Sequence, residues 1–140
     1  MVARTLLIVT AFVEAPIGLM LLVSPAVVVA FLLGVSLDAP AALIVGRIAG
    51  AALLSLGIAC WLARDDGPGR GVRGLVVAML LYNSAAGAIL ANAAAGVRLV
   101  GVLMWPAVAL HAILALWCIA CLRRESANGA HDLSRSGSRS

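Results

Sequence analysis

Four long apolar runs constrain the fold of this chain more than any other feature. They lie at residues 6–23, 41–63, 74–95 and 99–122. A bilayer core of ~30 Å needs about 20 residues of helix, so each run is long enough to cross it. Because lipid offers no hydrogen-bond partners to the backbone, such runs fold as helices. The sequence therefore predicts an all-α fold, a bundle of four transmembrane helices.

Composition supports a membrane location for the whole chain. Hydrophobic residues make up 64% and charged residues 11% of the 140 residues, with a mean hydropathy of +1.12. Soluble domains have about 45–50% apolar residues. We expect a membrane domain at residues 1–124 and a polar, serine-rich, disordered tail at 125–140. No room remains for a separate soluble catalytic domain, so an enzymatic activity is not the favoured interpretation.

The stretch SPAVVVAFLLG, residues 24–34, is apolar but too short to cross a bilayer alone. It follows the first run directly, and the Ser24-Pro25 pair marks a break because proline cannot continue a helix without losing a hydrogen bond. We interpret it as a short interfacial or re-entrant segment, or as an extension of the first span.

Arginines indicate the orientation of the bundle, since the chain contains no lysine. Only Arg98 lies in the connection between spans 3 and 4. Eight arginines lie on the opposite side: Arg4, Arg64, Arg70, Arg73, Arg123, Arg124, Arg135 and Arg139. The positive-inside rule then places both termini in the cytoplasm. We expect a multi-pass protein of the cell inner (plasma) membrane. The lipid bilayer is its expected partner, and we expect no binding to nucleic acid.

Four polar side chains inside the spans are the predicted binding site for a substrate or a proton. Glu14, Asn83 and His111 lie near the middle of spans 1, 3 and 4, while Arg47 lies about five residues, or roughly 7 to 8 Å, from the middle of span 2. A charge at the centre of a membrane helix costs about 2.5 to 3.5 kcal/mol, so Glu14 and Arg47 are expected to form an ion pair. The pair either fixes helix register or forms a proton-responsive or anion-binding centre.

Three further residues are predicted to line a cavity at this centre. Thr10 shares a helical stripe with Glu14, four residues on, and Tyr82 precedes Asn83. Trp105 lies in the outer half of span 4, where it either lines the cavity or anchors the helix near the headgroups.

Small residues predict where helices approach closely. Span 2 contains GRIAG, in which Gly46 and Gly50 form a small-xxx-small pattern, and span 3 places Gly87 on the stripe of Asn83. We expect these glycines to pack against another helix, within this chain or in a second copy.

Histidine and cysteine chemistry is the remaining possibility inside the spans. His111 is read as a hydrogen-bond donor to a neighbouring helix, or else as a proton or ligand carrier. No second histidine lies in any span, so we assign no metal and no cofactor. Cys60, Cys118 and Cys121 have an odd count and are expected to be free thiols that fill space.

The blocks GRIAGAALLSLGIACWLAR, MLLYNSAAGAIL and LMWPAVALHAILALWC resemble those of small bacterial four-helix membrane proteins that are loosely DoxX-like. That resemblance covers residues 1 to about 124 and implies an accessory role in a quinone or sulfur redox membrane complex. A second resemblance, carried by Glu14 alone, is to small multidrug-resistance transporters, whose first helix holds a glutamate in the membrane. The eight-to-one arginine distribution differs from the dual topology that some of those transporters use.

Three functions follow as hypotheses. A proton-coupled or small-solute carrier would use Glu14 as its protonatable group. A non-catalytic accessory subunit, in a homo-oligomer or a larger membrane complex, would use the same polar groups to lock its helices. A quinone or redox-associated protein would need His111, Trp105 or the cysteines to contact a cofactor.

Overall fold

The computed structural model describes the backbone of residues 2–137 and the side chains of residues 2–127. Within this part the chain is helical and contains no strand. Five α-helices follow one another: α1 (Val2–Val23), α2 (Pro25–Leu33), α3 (Pro40–Ala63), α4 (Arg70–Asn92) and α5 (Met104–Gly137). A π-helical turn, Ala93–Val97, continues α4.

The predicted all-α bundle is confirmed. Four helical segments of the described chain are long and apolar enough to cross a membrane: Val2–Val23, Pro40–Ala63, Arg70–Val97 and Met104–Ala127. Many large apolar side chains on their outer faces are exposed, as lipid-facing residues are. These properties indicate a multi-pass membrane protein. The cytoplasmic location of the termini stays a prediction.

Helix α1 packs along α3 through small residues. A Cβ atom added to Gly50 of α3 would lie 2.5 Å from the backbone nitrogen of Leu22 and 2.7 Å from the carbonyl oxygen of Gly18. One added to Gly57 would lie 2.8 Å from the backbone nitrogen of Ala15. The two backbones therefore touch over about two helical turns, an approach that only glycine and alanine permit.

The buried core lies at the end of the bundle that holds the N-terminus. It joins residues of α1, α3, α4 and α5 in one cluster: Leu6, Leu7, Ala11, Cys60, Val72, Val76, Met79, Leu114, Cys118 and Cys121. At the same end, Asp65 accepts a hydrogen bond from Arg4 at 3.0 Å and pairs with Arg64 at 3.2 Å. These exposed ion pairs join the start of α1 to the connection after α3.

The short helix α2 explains why the last span begins later than predicted. Pro25 occupies its first turn, and Gly34, with a left-handed φ of 72°, ends it. Two backbone N–H groups of the following connection bond to its last carbonyls, Gly101 to Leu32 at 3.1 Å and Leu103 to Phe31 at 3.0 Å. Residues 98–103 are thus held as a loop, and α5 begins at Met104 rather than at residue 99.

Helix α5 is longer than the apolar run of span 4, because it continues past Arg124 to Gly137. The disorder expected for residues 125–140 stays a prediction. No proline interrupts this stretch, and Arg123, Arg124, Glu125 and Ala127 have high to moderate helix propensity, so the helix of span 4 can propagate into it. The last three residues of the predicted tail, 138–140, lie outside the described residues.

The contact between α1 and α3 yields a stability test. Gly50→Ala should lower the midpoint of thermal unfolding in detergent, because the new methyl group meets backbone atoms that cannot move without separating the helices; overpacking of this kind costs about 1 to 3 kcal/mol. Gly74→Ala in α4 is the matched control, since no heavy atom lies within 4 Å of its added Cβ. A Gly50→Ala protein as stable as the Gly74→Ala control would contradict the close contact.

Candidate functional site

Glu14 is the acidic group at the centre of the candidate site. It lies just past the middle of α1, and only 3% of its surface is exposed. Its carboxyl group shares a side-chain hydrogen bond with the hydroxyl of Tyr82 on α4. A buried carboxyl of this kind is stable when it is protonated or when a cation neutralises it.

Two other polar side chains on the inner faces of α1 and α4 are buried almost completely. Thr10 is 0% and Asn83 is 1% exposed. The amide nitrogen of Asn83 donates to the carbonyl of Met79 at 2.9 Å, which turns the amide back along α4. The hydroxyl of Thr10 and the amide oxygen of Asn83 have no hydrogen-bond partner in the part of the chain that the structure describes. Such groups are rare in proteins, because each costs about 1 to 3 kcal/mol.

His111 extends the polar region along α5. Its ring lies 5.7 Å from the ring of Tyr82, between centroids, at an angle of 57°. Its Nδ1 is 2.7 Å from the carbonyl oxygen of Ala107, and because a carbonyl only accepts, Nδ1 carries the proton of this bond. Gly87 makes the approach possible, since an added Cβ would lie 3.3 Å from the Cβ of His111.

The structure does not form the predicted ion pair between Glu14 and Arg47. Helices α1 and α3 are antiparallel, and the contact of Gly50 with Leu22 sets their register, so Arg47 is level with residue 25. That level is eleven residues, or about 16 Å, from Glu14 along the helix. Arg47 is instead exposed on the outside of α3. The prediction failed because depth was estimated for each span separately, without the offset between the two helices.

Other predicted residues take different positions. Trp105 is 56% exposed at the start of α5, so it does not line the centre. Gly46 packs against the ring of Pro25, where an added Cβ would be 2.8 Å from the proline Cβ. Gly46 and Gly50 thus serve contacts within the chain.

Sulfur groups lie beside the carboxyl, a contact that the sequence does not predict. Cys60 of α3 is fully buried near Glu14, and its Sγ lies 3.6 Å from the Sδ of Met79. Cys118 and Cys121 are buried in the same core and, like Cys60, are free. Nothing in the spacing of these residues marks Cys60 as a neighbour of Glu14, since the contact depends on how α3 is offset along α1. No group of three His, Cys, Asp or Glu side chains among the described residues is placed to hold a metal ion.

A groove of about 510 Å³ lies on the outside of α1 and α3. Its walls are apolar, with Phe12, Leu54 and Trp61 among them, and Glu14 does not line it. Pro16 contributes to this groove from a helix that runs through it without a break. The groove and the polar centre are therefore separate features of α1.

Comparisons with protein-family models, with curated proteins and with solved structures found no match for this chain. The resemblances to DoxX-like proteins and to small multidrug-resistance transporters stay predictions. The polar centre around Glu14 is therefore the feature from which a function can be inferred.

The hydrogen bond between Glu14 and Tyr82 can be tested by a double-mutant cycle. Tyr82→Phe and Glu14→Met should be non-additive in the free energy of unfolding, with a coupling of about 1 kcal/mol, because phenylalanine lacks the donor of this bond and methionine lacks its oxygen acceptor. The control cycle combines Tyr82→Phe with Glu125→Met, which alters the only other glutamate. Additive effects in both cycles would show that the two groups do not interact.

Proposed function

We propose that this chain is a proton-coupled carrier for a small solute, with Glu14 as the group that binds and releases the proton. The observation that carries the proposal is the burial of this carboxyl among polar groups, with no arginine of the described residues paired to it. Ionisable residues inside membrane helices are most often functional, because an unpaired charge there is too costly for a purely structural role.

A series of polar groups supports proton movement to and from Glu14. Tyr82 bonds to the carboxyl, and His111 contacts Tyr82 from α5. Each of these side chains can give up and accept a proton. Tyr82 lies beside Glu14, and His111 lies beside Tyr82. The proton of Glu14 could therefore exchange along α4 and α5 rather than across lipid. We place the protein in the plasma membrane of a bacterium as part of the same proposal.

The exposed surface around Arg47 on α3 supports the accessory-subunit hypothesis. Arg47 is exposed seven residues into α3, and its neighbours Val45 and Ile48 are exposed apolar residues. An arginine on such a surface reaches toward the headgroups or pairs with an acidic group of another subunit. This surface supports a subunit contact that does not involve Glu14. Mutation of Arg47 therefore tests the accessory subunit, and mutation of Glu14 tests the carrier.

The carrier proposal predicts that solute and proton movements depend on Glu14. Purified protein is reconstituted in vesicles that contain a pH-sensitive dye, and amino acids, sugars and small organic cations are added outside in turn. At least one class should produce a proton flux that Glu14→Gln abolishes, because the amide cannot take up a proton. Glu125→Gln, at the cytoplasmic end in our orientation, should retain the flux.

Two results would overturn the carrier proposal. One is the absence of proton movement with every class of solute. The other is an equal flux in the wild-type and Glu14→Gln proteins. Either result would leave the accessory subunit as the better account, and Arg47→Leu should then weaken association with the partner that co-purifies.

A further inference from the structure

The unpaired oxygen atoms around Glu14 suggest what else binds there. The hydroxyl oxygen of Thr10 and the amide oxygen of Asn83 are both buried and both without a hydrogen-bond partner in the described part of the chain. Glu14 adds a carboxyl group on the same inner stripe as Thr10, four residues away. The centre thus offers more acceptor atoms than the neighbouring protein groups use.

Helix register places these three side chains within about one helical turn of one another along the bundle. The hydrogen bond between Glu14 and Tyr82 places these residues of α1 and α4 side by side. Thr10 lies one turn before Glu14, or about 6 Å along α1. The amide nitrogen of Asn83 is used by its bond to the carbonyl of Met79, so the amide oxygen is the free atom of this side chain. Asn83 follows Tyr82 on α4 and is 1% exposed, so this oxygen lies in the interior of the bundle.

The charge of the site selects the kind of ligand. Oxygen atoms of carboxylate, hydroxyl and amide groups are suited to hard cations. One carboxylate balances a single positive charge, whereas the divalent cations are held by several carboxylates or by added phosphates. A bound cation with a single positive charge neutralises the carboxylate of Glu14. The interior then carries no net charge, which would be costly in a low-dielectric medium.

We infer that Thr10, Glu14 and Asn83 form a binding site for one monovalent metal cation, which competes with the proton for Glu14. This inference rests on the proposed carrier function and deepens it, because it makes the cation the ion that exchanges with the proton. The titratable groups that face Glu14 are Cys60 on α3 and Tyr82 on α4, while His111 of α5 contacts Tyr82. None of these carries a fixed positive charge that would exclude a cation.

Thermal unfolding of the purified protein in detergent tests this site without transport. The probe is NaCl, compared with choline chloride at equal ionic strength and with KCl as a second metal cation. Na⁺ should raise the unfolding midpoint with increasing concentration, because a ligand that binds only the folded state stabilises it. The rise should be larger at alkaline than at acid pH, since the proton occupies Glu14 at acid pH.

Three variants assign the effect to the proposed residues. Thr10→Val keeps the shape of the side chain but removes its oxygen. Half-saturation should then need about tenfold more Na⁺, because the loss of one bond to a charged group weakens binding by about that factor. Thr10→Ser keeps the oxygen and should retain binding. Glu14→Gln should abolish the effect of Na⁺ and its dependence on pH. If Glu14→Gln does not fold, the Na⁺ concentration at half-saturation in Thr10→Val and Thr10→Ser still tests whether the oxygen of residue 10 binds the cation.

The outcomes separate this inference from the carrier proposal. An equal rise with Na⁺ and K⁺ supports a monovalent site of broad selectivity. An equal rise with choline chloride, or a Na⁺ effect that survives both Thr10→Val and Glu14→Gln, overturns the cation site. A solute-driven proton flux that depends on Glu14 would then leave the carrier proposal standing without it.

Discussion

The cost of placing a carboxyl group inside a lipid bilayer governs this structure. Glu14 lies near the middle of α1 with 3% of its surface exposed. The protein meets that cost with the hydroxyl of Tyr82 rather than with an arginine. A hydroxyl stabilises the carboxyl without neutralising it, so the group remains able to exchange a proton or pair with a cation. A locked ion pair would have removed that freedom.

Small residues place the carboxyl where this chemistry is possible. The contacts of Gly18 with Gly50 and of Ala15 with Gly57 hold α1 against α3 on one side. Glu14, one turn before Gly18 on the same stripe, is therefore held between α3, which contributes Cys60, and Tyr82 of α4. Gly87 has a comparable effect on the second helix pair, because it lets His111 approach α4 and reach Tyr82. Glycine thus acts here through the space it leaves rather than through an unusual backbone angle.

The sequence predicted the helices well because the length of an apolar run is a local property. Spans 1 and 2 end at Val23 and Ala63 as expected. The contact between Glu14 and Tyr82 could not be derived in the same way, because it depends on the offset between helices, which no single span encodes. Depth alone had paired Glu14 with Arg47, which lies about 16 Å away along the helix axis. The loop before Met104 escaped prediction for a similar reason, since its backbone bonds to α2, a helix distant in sequence.

Infrared spectroscopy of the Glu14 carboxyl tests the central claim most directly. A protonated carboxyl has a carbonyl band that a carboxylate lacks, and subtraction of the Glu14→Gln spectrum isolates the band of this residue. Our account predicts that the band is present at acid pH and declines as the pH rises. At a fixed intermediate pH, Na⁺ should diminish it relative to choline, because the cation takes the place of the proton. A band that is unchanged across the whole pH range of stability, with either salt, would show that Glu14 is a permanently neutral structural residue.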